Sequence, residues 1–258
     1  MNRHYLALIL TLGFSSPIAL SDHHNETVRF GDEEPLKVAK ATTAILIDGK
    51  MEESAWLNTE TKAFDHFYNI KQPTDKQSTR YRMLWDEENL YVFFECEDQY
   101  ITAREKNRDG APYVDDCAEI FLIPAPAPLN MHIGFEVNLF KASNDFVFFN
   151  DFYEGKNSIL KSYNPDFEVE ITYQGTINNN SDVDSGWTME MAIPLKLFGK
   201  LALQVPVKPG NQWAFLAVRQ DRNDIDGNRR STSTLFPIHD IKKNVHRPKT
   251  FGLMEFVE

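Results

Sequence analysis

The sequence predicts an all-β chain folded as an antiparallel, two-sheet β-sandwich. Three observations predict it. Short runs alternate apolar and polar residues, clusters of Asn, Asp, Gly and Pro punctuate them, and a helical period is almost absent. The chain of 258 residues is 42% hydrophobic and 25% charged, which is enough for one good-sized β domain. Its 19 Phe and 9 Tyr favour strands and aromatic-lined surfaces.

Residues 1–21 read as a secretory signal. Arg3 and His4 form the n-region, Tyr5 to Phe14 is an apolar stretch too short to span a bilayer, and Ala19-Leu20-Ser21 offers small residues for cleavage. Without a lipobox cysteine or a later apolar span, the expected location is secreted or periplasmic. Residues 22–40 read as a flexible arm and 41–258 as a single domain. Ile45 to Lys50 is a short strand entering a turn, and Met51 to Trp56 a helical turn capped by Asp48-Gly49. Residues 77–85 alternate with Tyr81, Met83 and Trp85 on one face. Asp86 to Asn89 turns the chain and Leu90 to Asp98 returns as a central strand. Residues 99–112 form a long polar loop. After the stretch Tyr113 to Pro124, the prolines up to Pro128 make a stiff turn. In His132 to Phe140, Ile133, Phe135, Val137 and Leu139 face a core, while His132, Gly134, Glu136 and Asn138 face away. Further strands fit Asp145–Asn150, Asp166–Ile177, Trp187–Ile193 and Trp213–Gln220. A polar turn fits Asn178–Ser185, a helical turn Pro194–Phe198 and a charged loop Asp221–Arg230, with a last strand after Gly252.

The formal net charge of -11 argues against nucleic acid and anionic membranes as partners. Cys96 and Cys117 are the two cysteines, and they fit a disulfide or two small buried hydrophobes equally well.

The functional question centres on Tyr-Val-Asp-Asp-Cys-Ala-Glu-Ile-Phe-Leu-Ile-Pro, Tyr113 to Pro124. Strand alternation sends Ala118, Ile120 and Leu122 one way, and Cys117, Glu119, Phe121 and Ile123 the other. Glu119 is thus a charge among apolar neighbours, which is costly unless a cation or several donors meet it.

Five groups of residues carry a resemblance: Ile47-Asp48-Gly49-Lys50 with Ala55-Trp56; Leu84-Trp85-Asp86 with Leu90-Tyr91-Val92; Asp116 with Glu119-Ile120-Phe121; Gly186-Trp187, Glu190 and Ile193-Pro194; and Pro248 with Phe251-Gly252. In this order they resemble the family 9 carbohydrate-binding modules, from about residue 40 onward. The resemblance implies a sandwich related to DOMON domains, non-catalytic, binding glycans such as xylan at chain ends and accessory to polysaccharide degradation, often with structural calcium. It also implies a site. Two rings sandwich the sugar in the family, and their places are held here by Tyr113 and by Val245, with His246 beside it. The polar partners correspond to Glu119, to Glu136 and Asn138 where the family has Arg-x-Asn, and to Arg229 after Gly227. Val245 for an aromatic and Glu136 for an arginine are departures.

The residues also admit other roles. Tyr113 could cover the sheet end, Glu119 could pair with Arg219 or Arg229, and Asn138 could satisfy nearby backbone. Trp56, Trp85, Trp187 and Trp213 read as core. Glu119 and Glu136 on adjacent strands invite a glycoside hydrolase alternative, which needs carboxylates about 5–5.5 Å apart for retention or about 6.5–9.5 Å for inversion. A haem-binding or protein-interaction sandwich is another alternative, but Met83, Met131, His132, His239 and His246 lack diagnostic spacing for haem. Oxygen ligands for calcium are available at Asp98, Asp115 and Asp116, and in the loop with Asp221, Asp224 and Asp226.

Overall fold

The computed structural model describes residues 34–126, 129–150, 158–199, 204–226, 228–238 and 243–258. The signal segment therefore lies outside the described residues, as do Pro128, Gly227 and His239. The described chain is all-β, with strands Leu36–Lys40 (β1), Lys62–Ala63 (β2), His66–Tyr68 (β3), Thr79–Trp85 (β4), Asn89–Glu97 (β5), Cys117–Ile123 (β6) and Met131–Asn138 (β7). They are followed by Ser143–Phe149 (β8), Ser158–Leu160 (β9), Glu168–Gln174 (β10), Gly186–Pro194 (β11), Gln212–Arg222 (β12), Arg230–Thr234 (β13) and Gly252–Val257 (β14).

Hydrogen bonds join the strands in the order β10-β11-β5-β4-β1-β14-β12-β6-β7-β8-β9. The sheet curls so that the half containing β4, β5 and β11 faces the half containing β6, β7 and β12. Between them lies the main core, with Tyr81, Val92, Phe94 and Met189 from one half and Ile120, Phe135 and Phe215 from the other. Tyr81 and Phe215 stack across it at 6.5 Å. All four tryptophans are buried.

Several expectations are corrected. Leu36–Lys40, read as part of a flexible arm, is β1. It pairs parallel with both β14 and β4, so the sandwich is mixed rather than wholly antiparallel. Ile45 to Lys50 forms no strand. The helical turn Ser54–Leu57 (α1) begins at Glu53 without a side-chain cap, so Asp48-Gly49 does not cap it. Glu190 organises this corner instead. It accepts the backbone N–H groups of Asp48 and Gly49, each at 3.0 Å, and the indole N–H of Trp56 at 2.9 Å. Gly49 sits at φ 77°, which suits a residue without Cβ. Cys96 and Cys117 are both buried free thiols.

The face of β7 expected to point away from the core is also buried. Phe121, Phe146, Phe148, Leu216 and Phe251 form a second apolar cluster there. The polar residues of that face are therefore enclosed as well, and this defines the candidate site.

Candidate functional site

On this outer face the strands carry an aromatic end and a polar end. Cross-strand register places Glu119 opposite Glu136, Glu136 opposite Asn144, and Cys117 opposite both Asn138 and Gln220. Residues paired in register share a face, so Glu119, Glu136 and Asn144 stand in a row across β6, β7 and β8. Glu119 is 1% exposed and Glu136 3%.

The side chains meet few donors. Glu119 takes a hydrogen bond from the Gln220 side chain, and Asn144 Nδ2 donates to Glu136 Oε2 at 2.6 Å. Glu119 Oε1 and Asn144 Oδ1 are buried without a partner. Burial pushes Glu119 up to about 7, and burial with the neighbouring Glu119 charge holds Glu136 well above the usual carboxylate range. Arg219 and Arg229, the two arginines expected to pair with Glu119, are engaged elsewhere. Arg219 lies on the opposite face, in register with Ala118, and Arg229 is held by Asp75 and by Thr74 Oγ1 at 3.1 Å. Arg222 shares the polar end, but its guanidinium donates to the backbone carbonyls of Tyr113, Val114 and Asp221. That hold fixes the single turn Pro112–Val114, from which Tyr113 projects 42% exposed.

Asn138 does not belong to an open polar set. Its amide donates to Glu105 O and Asp115 Oδ2, each at 2.9 Å, and its oxygen accepts from Phe140 N and Ala142 N. Its donors go to the loop before β6 and its oxygen to the turn after β7, which leaves Asn138 no capacity for a sugar hydroxyl. Arg229, paired with Asp75, likewise stands apart from Glu119 in its contacts.

The aromatic end explains the Val245 and His246 positions. His246 stacks on Phe148 at 4.8 Å and 5°, and its Nδ1 lies 3.1 Å from His132 Nε2. Val245 packs against the same cluster. Burial holds His246 down to about 4, and burial plus the neighbouring His246 keeps His132 well below its ordinary value. These histidines are structural neighbours in an aromatic stack. Met83 lies in the main core, apart from these two histidines.

A separate cluster lies at the C-terminal ends of β5 and β12, on the Arg219 face of the sheet rather than the Glu119 face. Carboxylate oxygens of Asp98, Asp116 and Asp221 all fall within 4.8 Å of one another, and all three residues are buried. Arg219 Nη2 reaches Asp98 at 3.1 Å and Asp221 at 3.5 Å. Trp187 Nε1 donates to Asp98 at 3.0 Å, and Thr102 N and Arg222 N donate to Asp116, each at 2.6 Å. Burial and the Asp221 charge raise Asp98 to about 6 despite Arg219, and burial with the Asp98 and Asp221 charges holds Asp116 well above its usual range. Three carboxylates against one guanidinium leave excess negative charge on an oxygen-only donor set, which fits a hard cation such as calcium. Asp115 is not among them. Its carboxylate accepts Arg104 N and Glu105 N, each at 2.8 Å, besides Asn138 and the Arg104 side chain. Asp115, expected beside Asp116 in the ligand set, is thus turned to the loop before β6, and the third member, Asp221, comes from the candidate late loop. Asp224 is spent on the backbone of Asn228 and Arg229.

A protein-family model described as carbohydrate family 9 binding domain-like matches residues 47–258. The chain belongs to this family. The carbohydrate family 9 fold extends to solved structures. A family 9 carbohydrate-binding module from Caldicellulosiruptor kristjanssonii, in complex with cellotriose, is similar over 87% of this chain and 94% of its own, at 18% identity and TM-score 0.58. The same kind of module in complex with glucose covers 85% and 95%, at 17% identity and TM-score 0.58. A candidate carbohydrate-binding protein from Bacteroides uniformis covers 86% and 99%, at 15% identity and TM-score 0.64. No curated protein matches the chain. These likenesses concern the fold, and all of them fit the curled sheet described above. Among the described residues no helix is long and apolar enough to cross a membrane.

Proposed function

We propose that this family 9 domain is a secreted, non-catalytic binder of sugar chain ends, accessory to polysaccharide breakdown. The observation that carries the reading is the unpaired buried acceptor Glu119 Oε1, on the strand that begins just after the exposed ring of Tyr113. A sugar end offers what each lacks: a C–H face for the ring and hydroxyl donors for the carboxylate. Glu119 and Asn144 accept from hydroxyls, Gln220 orients Glu119, and Arg222 fixes the Tyr113 turn. The solved relatives bound to cellotriose and glucose support gluco-configured ends as a first ligand to test.

Calorimetry against cello- and xylo-oligosaccharides tests this. Tyr113→Ala is expected to weaken binding about tenfold, roughly 1.4 kcal/mol. The control is Arg80→Ala, at a cavity of about 240 Å³ on the other half of the sheet, which is expected to leave affinity unchanged. Unaltered affinity of Tyr113→Ala would remove the stacking role, and a wild-type protein that binds no oligosaccharide would remove the reading.

Calcium belongs to the same proposal, with Asp98, Asp116 and Asp221 as its ligands and screening of their mutual repulsion as its role. At calcium about 100-fold above its dissociation constant, stability is expected to rise by about 2.7 kcal/mol. A thermal melt with calcium and with chelator checks this, and Asp116→Asn should abolish the difference. Coincident melts would reject the site.

A further inference from the structure

We propose that the guest best matched to the polar end of the outer face is a sugar carrying a free amine, whose ammonium group lodges between Glu119 and Glu136. This rests on the sugar-binding reading above and names the class of sugar.

The argument is one of donors and acceptors. What is left over at this end is acceptor capacity. Glu119 Oε1 and Asn144 Oδ1 are buried and unpartnered, on residues 1% and 3% exposed. Two carboxylates directly opposite each other in register repel, and no cationic side chain donates to either in the contacts described. Arg222 and Lys161 act on the pair only at longer range. Arg222 spends its donors on the carbonyls of Tyr113, Val114 and Asp221, and Lys161 Nζ points to Asp109 O at 3.4 Å. A neutral hydroxyl would satisfy one acceptor with one donor. An ammonium has three donors and the missing charge, and so answers Glu119, Glu136 and Asn144 together. The enclosure sets the size of the group that enters. An N-acetylated sugar brings neither the charge nor the three donors.

The test is calorimetry of the full protein with three oligosaccharides of equal length: β-1,4-linked glucosamine, its N-acetylated form, and β-1,4-linked glucose. The glucosamine oligomer is expected to bind at least tenfold more tightly than either of the others near neutral pH, where ammonium on the sugar and a carboxylate at Glu119 coexist. In Glu136→Gln the ratio between glucosamine and glucose oligomers should fall towards one. Equal or weaker binding of the glucosamine oligomer by the wild-type protein overturns this inference and leaves the sugar-binding reading standing. Binding of none of the three overturns this inference, and if xylo-oligosaccharides are not bound either, the sugar-binding reading falls with it. The wild-type comparison decides the matter even if the variant fails to fold.

Discussion

Arg219→Ala is expected to destabilise the domain by about 3–5 kcal/mol, the range seen when one partner of a buried ion pair is removed. The guanidinium is fully buried. It is the cation that separates Asp98 from Asp221, and its other nitrogen donates to Ser78 O at 3.2 Å and Thr79 Oγ1 at 3.1 Å. Its plane also lies 5.7 Å over Trp187, whose indole N–H holds Asp98. Removing it leaves three clustered carboxylates in a low-dielectric site and strips Thr79 and Ser78 of a donor. At roughly 2–4 °C per kcal/mol for a domain of this size, the melting temperature should fall by about 10 °C. Urea denaturation measures the loss directly. A change below about 1 kcal/mol would show that these carboxylates do not depend on Arg219.

Glu119→Gln is expected to act in the opposite direction, and only at neutral pH and above. Burial raises the Glu119 carboxyl to about 7, whereas an unfolded glutamate ionises near about 4.3. Below the lower value both states are protonated and the charge costs nothing. As pH climbs from about 4.3 to 7, the unfolded chain gives up a proton that the folded chain keeps, so wild-type stability falls over that window. Glutamine keeps an acceptor for Gln220 and carries no charge. The variant should therefore be more stable than wild type by on the order of 3 kcal/mol at pH 8 and equal to it near pH 4. Paired urea melts from pH 4 to 8 give the difference. His132 and His246 lose stability in the other sense, as pH drops below their unfolded value near about 6.5, but they do so in both proteins and cancel. A difference that does not vary with pH would show that Glu119 is already charged in the folded state. The sign matters for binding too, since a guest that supplies donors at Glu119 recovers what burial costs.

Much of this architecture was legible in the sequence because it is written in local alternation. The split of β6 into Ala118, Ile120 and Leu122 against Glu119, Phe121 and Ile123 is borne out by their two separate clusters. The β4–β5 hairpin follows from Asp86 to Asn89, where the Asp86 carboxylate accepts from Glu88 N and Asn89 N at 2.8 Å. What escaped the reading is non-local. Leu-Lys-Val-Ala-Lys at 36–40 has too little apolar content to announce a central strand; its place is made by β14 and β4, far along the chain. The outward residues of β7 looked solvent-facing because their cover, Phe146, Phe148, His246 and Phe251, comes from other segments. For the site, Glu119 was conspicuous as a charge in an apolar strand, but Asn138 was not separable by sequence from the turn it holds. The missed Asn144 had a signal of its own, as a polar residue entering the aromatic strand Phe146–Phe149. Alternation would also have set Arg219 on the face opposite Glu119, three residues from the Arg222 that shares its side.

The parallel seam made by β1 has a kinetic consequence. Leu36 lies opposite Met254, while β1 meets β4 through just two register pairs, Ala39 with Leu84 and Lys40 with Trp85. The hairpins on either side can form from neighbouring stretches of chain, but joining them requires the two ends of the described chain to find each other. Refolding should therefore be slow, in the millisecond-to-second range typical of non-local β topologies, with closure of this seam as its late event.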